Sequence, residues 1–392
     1  MCSYNGNEIF EFVEHNELAS ATNGGRILFA TDDFFAIAEN LLENGEPVWK
    51  EHLFTDHGKW MDGWETRRKR RAGHDWTIIA LGQRSIIEGF CIDTAYFTGN
   101  YAPRFSIQGA ELSEADEKSF PPRRSEMGSS ASEENLRKMA ALKTECWETL
   151  VPMSDLKAGY EETRKSYFPL KSRKSWTHLR LNIYPDGGIA RLRVYGVASP
   201  NWSEARSSGA PIDLISMKNG GICQSYSNAH YGHPRNLIKE GRPANMADGW
   251  ETARRLDRPP VIRADDFGII QVTGEEWAIF KLGHTGSVES IVVETTHFRG
   301  NFPDSVKVEG VLKTGRNKRE SKENWSTVLP SRKLSPDKIH VYTSNDLVWS
   351  GPLTHVRIIM APDGGFSRFK VLGNPTESHR LTTNLNIPKS IQ

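Results

Sequence analysis

The sequence predicts an all-β protein, a tandem duplication of a jelly-roll β-sandwich. Three observations carry that prediction. The segment Asp62-Gly63-Trp64-Glu65-Thr66 recurs as Asp248-Gly249-Trp250-Glu251-Thr252. Further matches keep the same order. Asn23-Gly24-Gly25 matches Asn219-Gly220-Gly221, and Trp76 with Leu81-Gly82 matches Trp277 with Leu282-Gly283. Pro185-Asp186-Gly187-Gly188 matches Pro362-Asp363-Gly364-Gly365. A period this long excludes a short solenoid unit, so a whole domain is repeated. Finally, short β-branched or alternating segments bounded by Gly and Pro fill each copy, as antiparallel strands do.

Composition narrows the function classes. A chain of 392 residues is long enough for two domains with proper cores. Lys+Arg number 50 against 49 Asp+Glu, so no global field favours nucleic acid or an anionic membrane. No apolar run is long enough to cross a bilayer, and residues 1–10 lack a basic segment followed by an apolar one. Cys2, Cys91, Cys146 and Cys223 form no close pair, and Cys91 aligns with Val292 as a small core residue. A reduced, cytoplasmic setting is expected. A peroxisomal one would have to do without a Ser-Lys-Leu address, because the chain ends Lys389-Ser390-Ile391-Gln392.

In chain order, the copies begin at Glu17-Leu18 and at Asp213-Leu214. Asp32-Asp33 precedes the apolar-periodic stretch 36–42, which has the form of a short helix with an Asp cap. Its second copy holds Gly232 and Pro234, so both are taken as irregular. The first copy then carries extra residues: 22 positions separate Asn40 from Asp62, but 12 separate Asn236 from Asp248. The extra residues fall near 49–60 and include His52, Asp56 and His57. Such an insertion either acquires function or merely covers an edge. Residues 76–81 predict a strand that Gly82 ends, and 86–97 predict another. Between Gly109 and Trp147 lie 38 positions, against 15 between Gly310 and Trp325. The surplus predicts a protruding loop with a short helix from Glu133 through Ala141, capped by Ser132. Thr177, Leu179, Leu181 and Ile183 share one strand face. The Pro-Asp-Gly-Gly turn and a second alternating run to Tyr195 then predict a β-hairpin, repeated over 354–373. Pro, Ser and Gly cluster over 198–211, which places the linker there and the domains at 1–200 and 201–392.

Basic residues follow each motif copy: Arg67-Arg68-Lys69-Arg70-Arg71 in the first, Arg254-Arg255 in the second, with Ala253 aligned to Arg67. A basic run alone suggests a nuclear-localisation or nucleic-acid patch. The second copy lacks the run but keeps an Arg at the position of Arg68, namely Arg254. Arg suits bidentate capture of a carboxylate. Asp62 and Glu65 can accept hydrogen bonds from urea-like N–H groups or move protons. The competing structural reading is that Trp64 and Trp250 simply anchor each sandwich.

These residues resemble a known family. The motif followed by Arg-Arg, the Trp-led strand ending in Leu-Gly, and the stretch from Asp93 to Pro103 closely resemble allantoicase; Thr296 to Pro303 resembles that family's second repeat. The resemblance runs from about Leu18 to Gly373. It implies tandem jelly-roll (galactose-binding-like) domains, hydrolysis of allantoate to ureidoglycolate and urea in purine catabolism, and a homo-oligomer. Such a site needs an Arg for the carboxylate, acceptors for ureido N–H groups, and an acid–base residue. Arg67, Arg68, Arg254 and Arg255 are candidates for the first need, with Asn100 and Asn301 as further substrate contacts. Asp62, Glu65, Asp248 and Glu251 are candidates for the second, and His57 and His297 for the third. His178 and His355, aligned on strand faces, read as structural. No His-Glu-x-x-His is present, and no cofactor or metal is expected; a divalent ion held by His57, Asp56 and His297 is the alternative. The working site is expected at the first copy, beside the longer basic run and the insertion. The rival is a site needing Arg254 and His297 as well. Two other classes compete: a carbohydrate-binding sandwich and a relative without activity.

Overall fold

A single long strand makes each half a sandwich. The computed structural model describes residues 11–207, 209–313, 324–349 and 351–376. The expectations for residues 1–10, Cys2 and the last four residues lie outside these, as does most of the 310–325 connection. The main strands of the first half are β1 (Asn16–Glu17), β2 (Arg26–Ala30), β3 (Asp75–Asp93), β4 (Arg104–Ala110), β5 (Glu148–Asp155), β6 (Lys165–Pro169), β7 (Ser175–Tyr184) and β8 (Arg191–Ala198). Those of the second are β9 (Ile212–Asp213), β10 (Ile222–Tyr226), β11 (Glu276–Glu294), β12 (Ser305–Val311), β13 (Ser326–Lys333), β14 (Ile339–Tyr342), β15 (Pro352–Ala361) and β16 (Arg368–Pro375).

Strand β3 spans 19 residues. Its first part pairs with β2 and β7, where Ile79 faces Ile27 and Leu179. Its last part pairs with β6 and β8, where Ile92 faces Ser166 and Leu192. One strand therefore serves two layers, and β11 does the same with β10 and β15, then β14 and β16. Alternate side chains of both layers point inward, giving each half its own apolar core. By its contacts the chain divides into two compact units at Pro200/Asn201.

Gly82 does not end a strand; β3 runs through it. A Cβ on Gly82 would lie 1.7 Å from the Asn23 carbonyl oxygen, and one on Gly283 would lie 1.7 Å from that of Asn219. The repeated Asn-Gly-Gly and Leu-Gly motifs are thus two sides of one close backbone approach, with Gly24 left-handed at φ 91° and Gly220 at φ 83°. The expected hairpin is also absent. Strands β7 and β8 flank β3 instead of pairing with each other, and β15 and β16 flank β11. Alternation reveals a strand's faces but not its partner. The turn residues pair elsewhere: Gly188-Ile189 with Trp64-Glu65, and Gly365-Phe366 with Trp250-Glu251.

The stretch 36–42 is a 3-10 turn over Ala38–Leu42, repeated at Pro234–Ile238. Its N-cap residue is Ile37 rather than an Asp, although Asp33 further back accepts from the Ala38 N–H at 2.9 Å. Helix α1 (Glu133–Ala141) forms as expected, with the Ser132 hydroxyl accepting from Asn135 N–H. It does not protrude. Met139 is buried against Phe29 and Ile78, with Phe120, Leu142 and Trp147 packed around them. Two apolar side chains on the outer sheet face need cover, and the insertion supplies it. In the second half Ser225 occupies the register position of Phe29.

Candidate active site

The motif builds the same frame twice. Trp64 and Trp250 are fully buried, and their indoles donate to the carbonyls of Asp32 and Asn228, both at 2.8 Å. Truncating such a side chain costs roughly 3–5 kcal/mol, so the Trp is an anchor. Asp62 pairs with the buried Arg191 at 2.9 Å, and Asp248 with the buried Arg368 at 2.8 Å. Burial opposes charge on Asp248, but Arg368 and Lys239 outweigh it and hold the carboxyl below its ordinary range. The motif Asp is committed to the frame and has little left for substrate. The motif Glu is placed differently. Glu65 accepts from the Asn100 amide at 2.7 Å, and Glu251 from the Asn301 amide at 2.7 Å. The turn closes the frame: Asp186 accepts from the Lys69 N–H at 2.7 Å, and Asp363 from the Arg255 N–H at 2.9 Å.

In the second half this frame opens into a cavity of about 640 Å³, lined by Glu251, Asn301, Arg254, Arg258, His230 and Tyr231. Arg258 is clamped by Asp363 at 2.6 and 2.8 Å. Arg254 is exposed and makes no hydrogen bond or ion pair to another described residue. Arg255 turns away to Asp257 and Glu276. Ile262, Ile270 and Val272 form an apolar wall, carried by a small hairpin in which Arg263-Ala264 pairs with Gln271-Ile270. A polar floor under an apolar wall is the usual makeup of a small-molecule site.

The sequence reading missed that hairpin. Its signal was a spacing: 8 positions separate Arg68 from Trp76, but 23 separate Arg254 from Trp277. It also missed His230 and Tyr231, which stand where the first copy has Phe34-Phe35. Chain order gives no hint of them. A backbone bond brings them in, His230 N–H donating to the Glu251 carbonyl at 3.1 Å.

In the first half a smaller cavity of about 300 Å³ lies against Glu65, Asn100, Trp49, Lys59 and Tyr96. Burial pushes the Glu65 carboxyl up, only partly offset by the Asn100 amide. Arg67 pairs with Asp32 at 2.7 Å and lies over the Phe34 ring at 4.7 Å. Arg68 is exposed and lines neither cavity. Within the basic run, Lys69 pairs with the buried Asp75 at 2.6 Å. The His57 ring packs on Phe34 at 4.9 Å, and the His297 ring bonds the Pro243 carbonyl at 2.9 Å; neither lines either of these two cavities. His178 is buried between Thr177 and Glu117, and burial lowers its proton affinity. Among the described residues no three His, Cys, Asp or Glu side chains converge as a metal-holding group. The structure thus gathers Glu251, Asn301 and Arg254 in one place and Glu65 and Asn100 in another. Asp62, Arg67, Arg255, His57 and His297 serve other contacts.

Comparison with known proteins adds a family. A family model described as the allantoicase repeat matches residues 16–199 and 212–376. The chain is 39% identical to a probable allantoicase of Pseudomonas aeruginosa (strain UCBPP-PA14), over 93% of this chain and 97% of that one. It is 40% identical to a probable allantoicase of Pseudomonas syringae pv. syringae (strain B728a), over 92% and 97%. The crystal structure of allantoicase from Saccharomyces cerevisiae superposes with a TM-score of 0.67 at 32% identity, covering 91% of this chain and 92% of that one.

Proposed function

The chain belongs to the allantoicase family, and from that premise we propose that it hydrolyses allantoate to ureidoglycolate and urea, in the second-half cavity. It is a hydrolase, of the class that cuts carbon–nitrogen bonds in linear amidines. Near-full-length identity to probable allantoicases leaves the carbohydrate-binding alternative without support.

The observation that carries the assignment to the second half is Arg254, a guanidinium without a hydrogen-bond or ion-pair partner among the described residues, on the wall of a cavity lined by Glu251 and Asn301. Arg254 takes the substrate carboxylate as a charge-assisted pair. Glu251, oriented by Asn301, accepts from a ureido N–H. His230 delivers a proton to the departing ureido nitrogen while the remaining ureido nitrogen supplies its electron pair, so the carbon–nitrogen bond breaks and urea leaves. Water adds to the resulting imine-like carbon and loses a proton to Glu251, which completes ureidoglycolate. The apolar wall of Ile262, Ile270 and Val272 limits competing water. The first-copy expectation has less support, because Arg67 is spent on Asp32 and Arg68 does not line the cavity beside Glu65.

A homo-oligomer fits the exposed apolar side chains of the same insertion, Leu256, Val261 and Phe267. Cytoplasmic residence is likewise part of this reading; no described helix is long and apolar enough to cross a membrane. Purified protein incubated with allantoate should release urea and ureidoglycolate in equal amounts. No release, with or without added divalent metal, leaves the reading of an inactive relative.

A further inference from the structure

The first-half cavity has no part in that chemistry. We propose that it binds a small, flat, uncharged molecule carrying N–H donors: urea or a monosubstituted urea. The proposal rests on hydrolysis belonging to the second half, and the experiment below separates the two.

Residues peculiar to the first copy build this cavity. Trp49 and Lys59 come from the insertion near 49–60, which the second copy lacks, and Tyr96 stands where that copy has His297. The left-handed turn is common to both copies, with Tyr96 at φ 68° and His297 at φ 72°. In the second copy it sends the ring to a backbone carbonyl; in the first it sets Tyr96 at 5.7 Å from Trp49. Both aromatic side chains remain well exposed, at 46% and 40%. An exposed aromatic pair over a half-buried carboxyl has no evident role in packing.

Charge selects a neutral ligand. Lys59 lines the cavity and repels a cation, yet its ammonium is already engaged. It bonds the carbonyls of Lys50 and Glu51 and sits over the rings of Trp49 and Phe54 at 4.7 and 4.8 Å. Glu65 in turn repels an anion. Hydrogen bonding then selects donors. One of the two Asn100 amide N–H groups goes to a Glu65 oxygen, so the Asn100 carbonyl and the second Glu65 oxygen remain as acceptors beside a single amide donor, which suits the carbonyl of a urea. Two acceptors beside an aromatic face match the paired N–H groups of a urea. At about 300 Å³ the cavity admits such a molecule with room for water beside it, and Glu65 turns away the carboxylate of allantoate.

The test is saturation-transfer NMR on the full chain with N-methylurea, using tetramethylurea as a probe without N–H and acetate and methylammonium as charged probes. N-methylurea should give a signal that persists in Arg254→Ala. In Trp49→Ala and Glu65→Leu, each checked to melt like the parent, affinity should fall about tenfold, the worth of one aromatic face or one charge-assisted hydrogen bond. Trp49→Ala should keep the parent's urea release. A signal unchanged in both variants, or equal binding of any of the three other probes, overturns the inference and leaves the hydrolytic reading standing. Loss of urea release in Trp49→Ala with retention in Arg254→Ala overturns both, because catalysis would then sit in the first half.

Discussion

The two copies of Asp-Gly-Trp-Glu-Thr share a frame and differ in their surroundings. In each, the Trp is buried, the Asp holds an Arg from the last strand, and the Glu holds an Asn. Next to the motif, the first copy carries an insertion just before it, the second one just after it. The first insertion walls one side of the Glu–Asn pair with Trp49 and Lys59; the second walls it with Ile262 and Ile270. The frame positions a carboxyl, and the insertion decides what can reach it.

If the frame is common, breaking it should hurt both halves alike. Arg191→Ala and Arg368→Ala each strand a partly buried Asp, and each should cost about 3–5 kcal/mol in denaturant unfolding. A large loss in one and none in the other would mean that the two ion pairs are not equivalent.

A second contrast concerns the first strand of each copy. Burial pushes the Asp213 carboxyl up to about 7, despite bonds from the Val371 and Ile215 amides, and it also raises the aligned Glu17. The folded value lies above the unfolded one, so the contribution is complete below pH 3.8 and is lost as pH rises through about 7. Stability should fall with pH across that window by at most about 1.4 kcal/mol per unit for this one group. Thermal melts of Asp213→Asn should show a flatter profile, and an unchanged slope would remove Asp213 as the cause.

The cavities separate the copies in function. Arg254→Ala should lower kcat/KM for allantoate by about 1.5–3 kcal/mol, and Arg68→Ala should leave it near the parent value. Equal losses would erase the asymmetry, and a loss confined to Arg68→Ala would reverse it.

The smallest expected effect lies on the sheet faces. Arg357 pairs with Glu309 at 2.9 Å, whereas the aligned Arg180 has Gln108 there and, among the described residues, no carboxylate nearer than Glu145 at 3.8 Å. Arg180 lies over Trp76 at 3.9 Å, and burial pushes its pKa down to about 10. Gln108→Glu should stabilise the first half by up to about 1 kcal/mol in denaturant unfolding. A destabilised variant would show that the bond Gln108 accepts from the Asn182 amide and the one it donates to the Glu145 carbonyl matter more.

The sequence alone determined the duplication, the β class and the cap and extent of α1, because these follow from local patterns: a repeat, an alternation, a Ser before helix formers. It also counted Glu251, Arg254 and Asn301 among the candidates of both copies, while placing the working site at the first copy. Only the tertiary structure decided which strands pair, since β7 and β8 meet β3 and not each other. Only the tertiary structure divided the candidates. Asp62 and Glu65 stand three residues apart with equal chemistry, yet Asp62 meets Arg191 and Glu65 a cavity. His230 reaches the second cavity through a backbone bond to a residue 21 positions away. Residue type sets what a side chain can do, but partners and access come from segments distant in the chain, which no local pattern encodes.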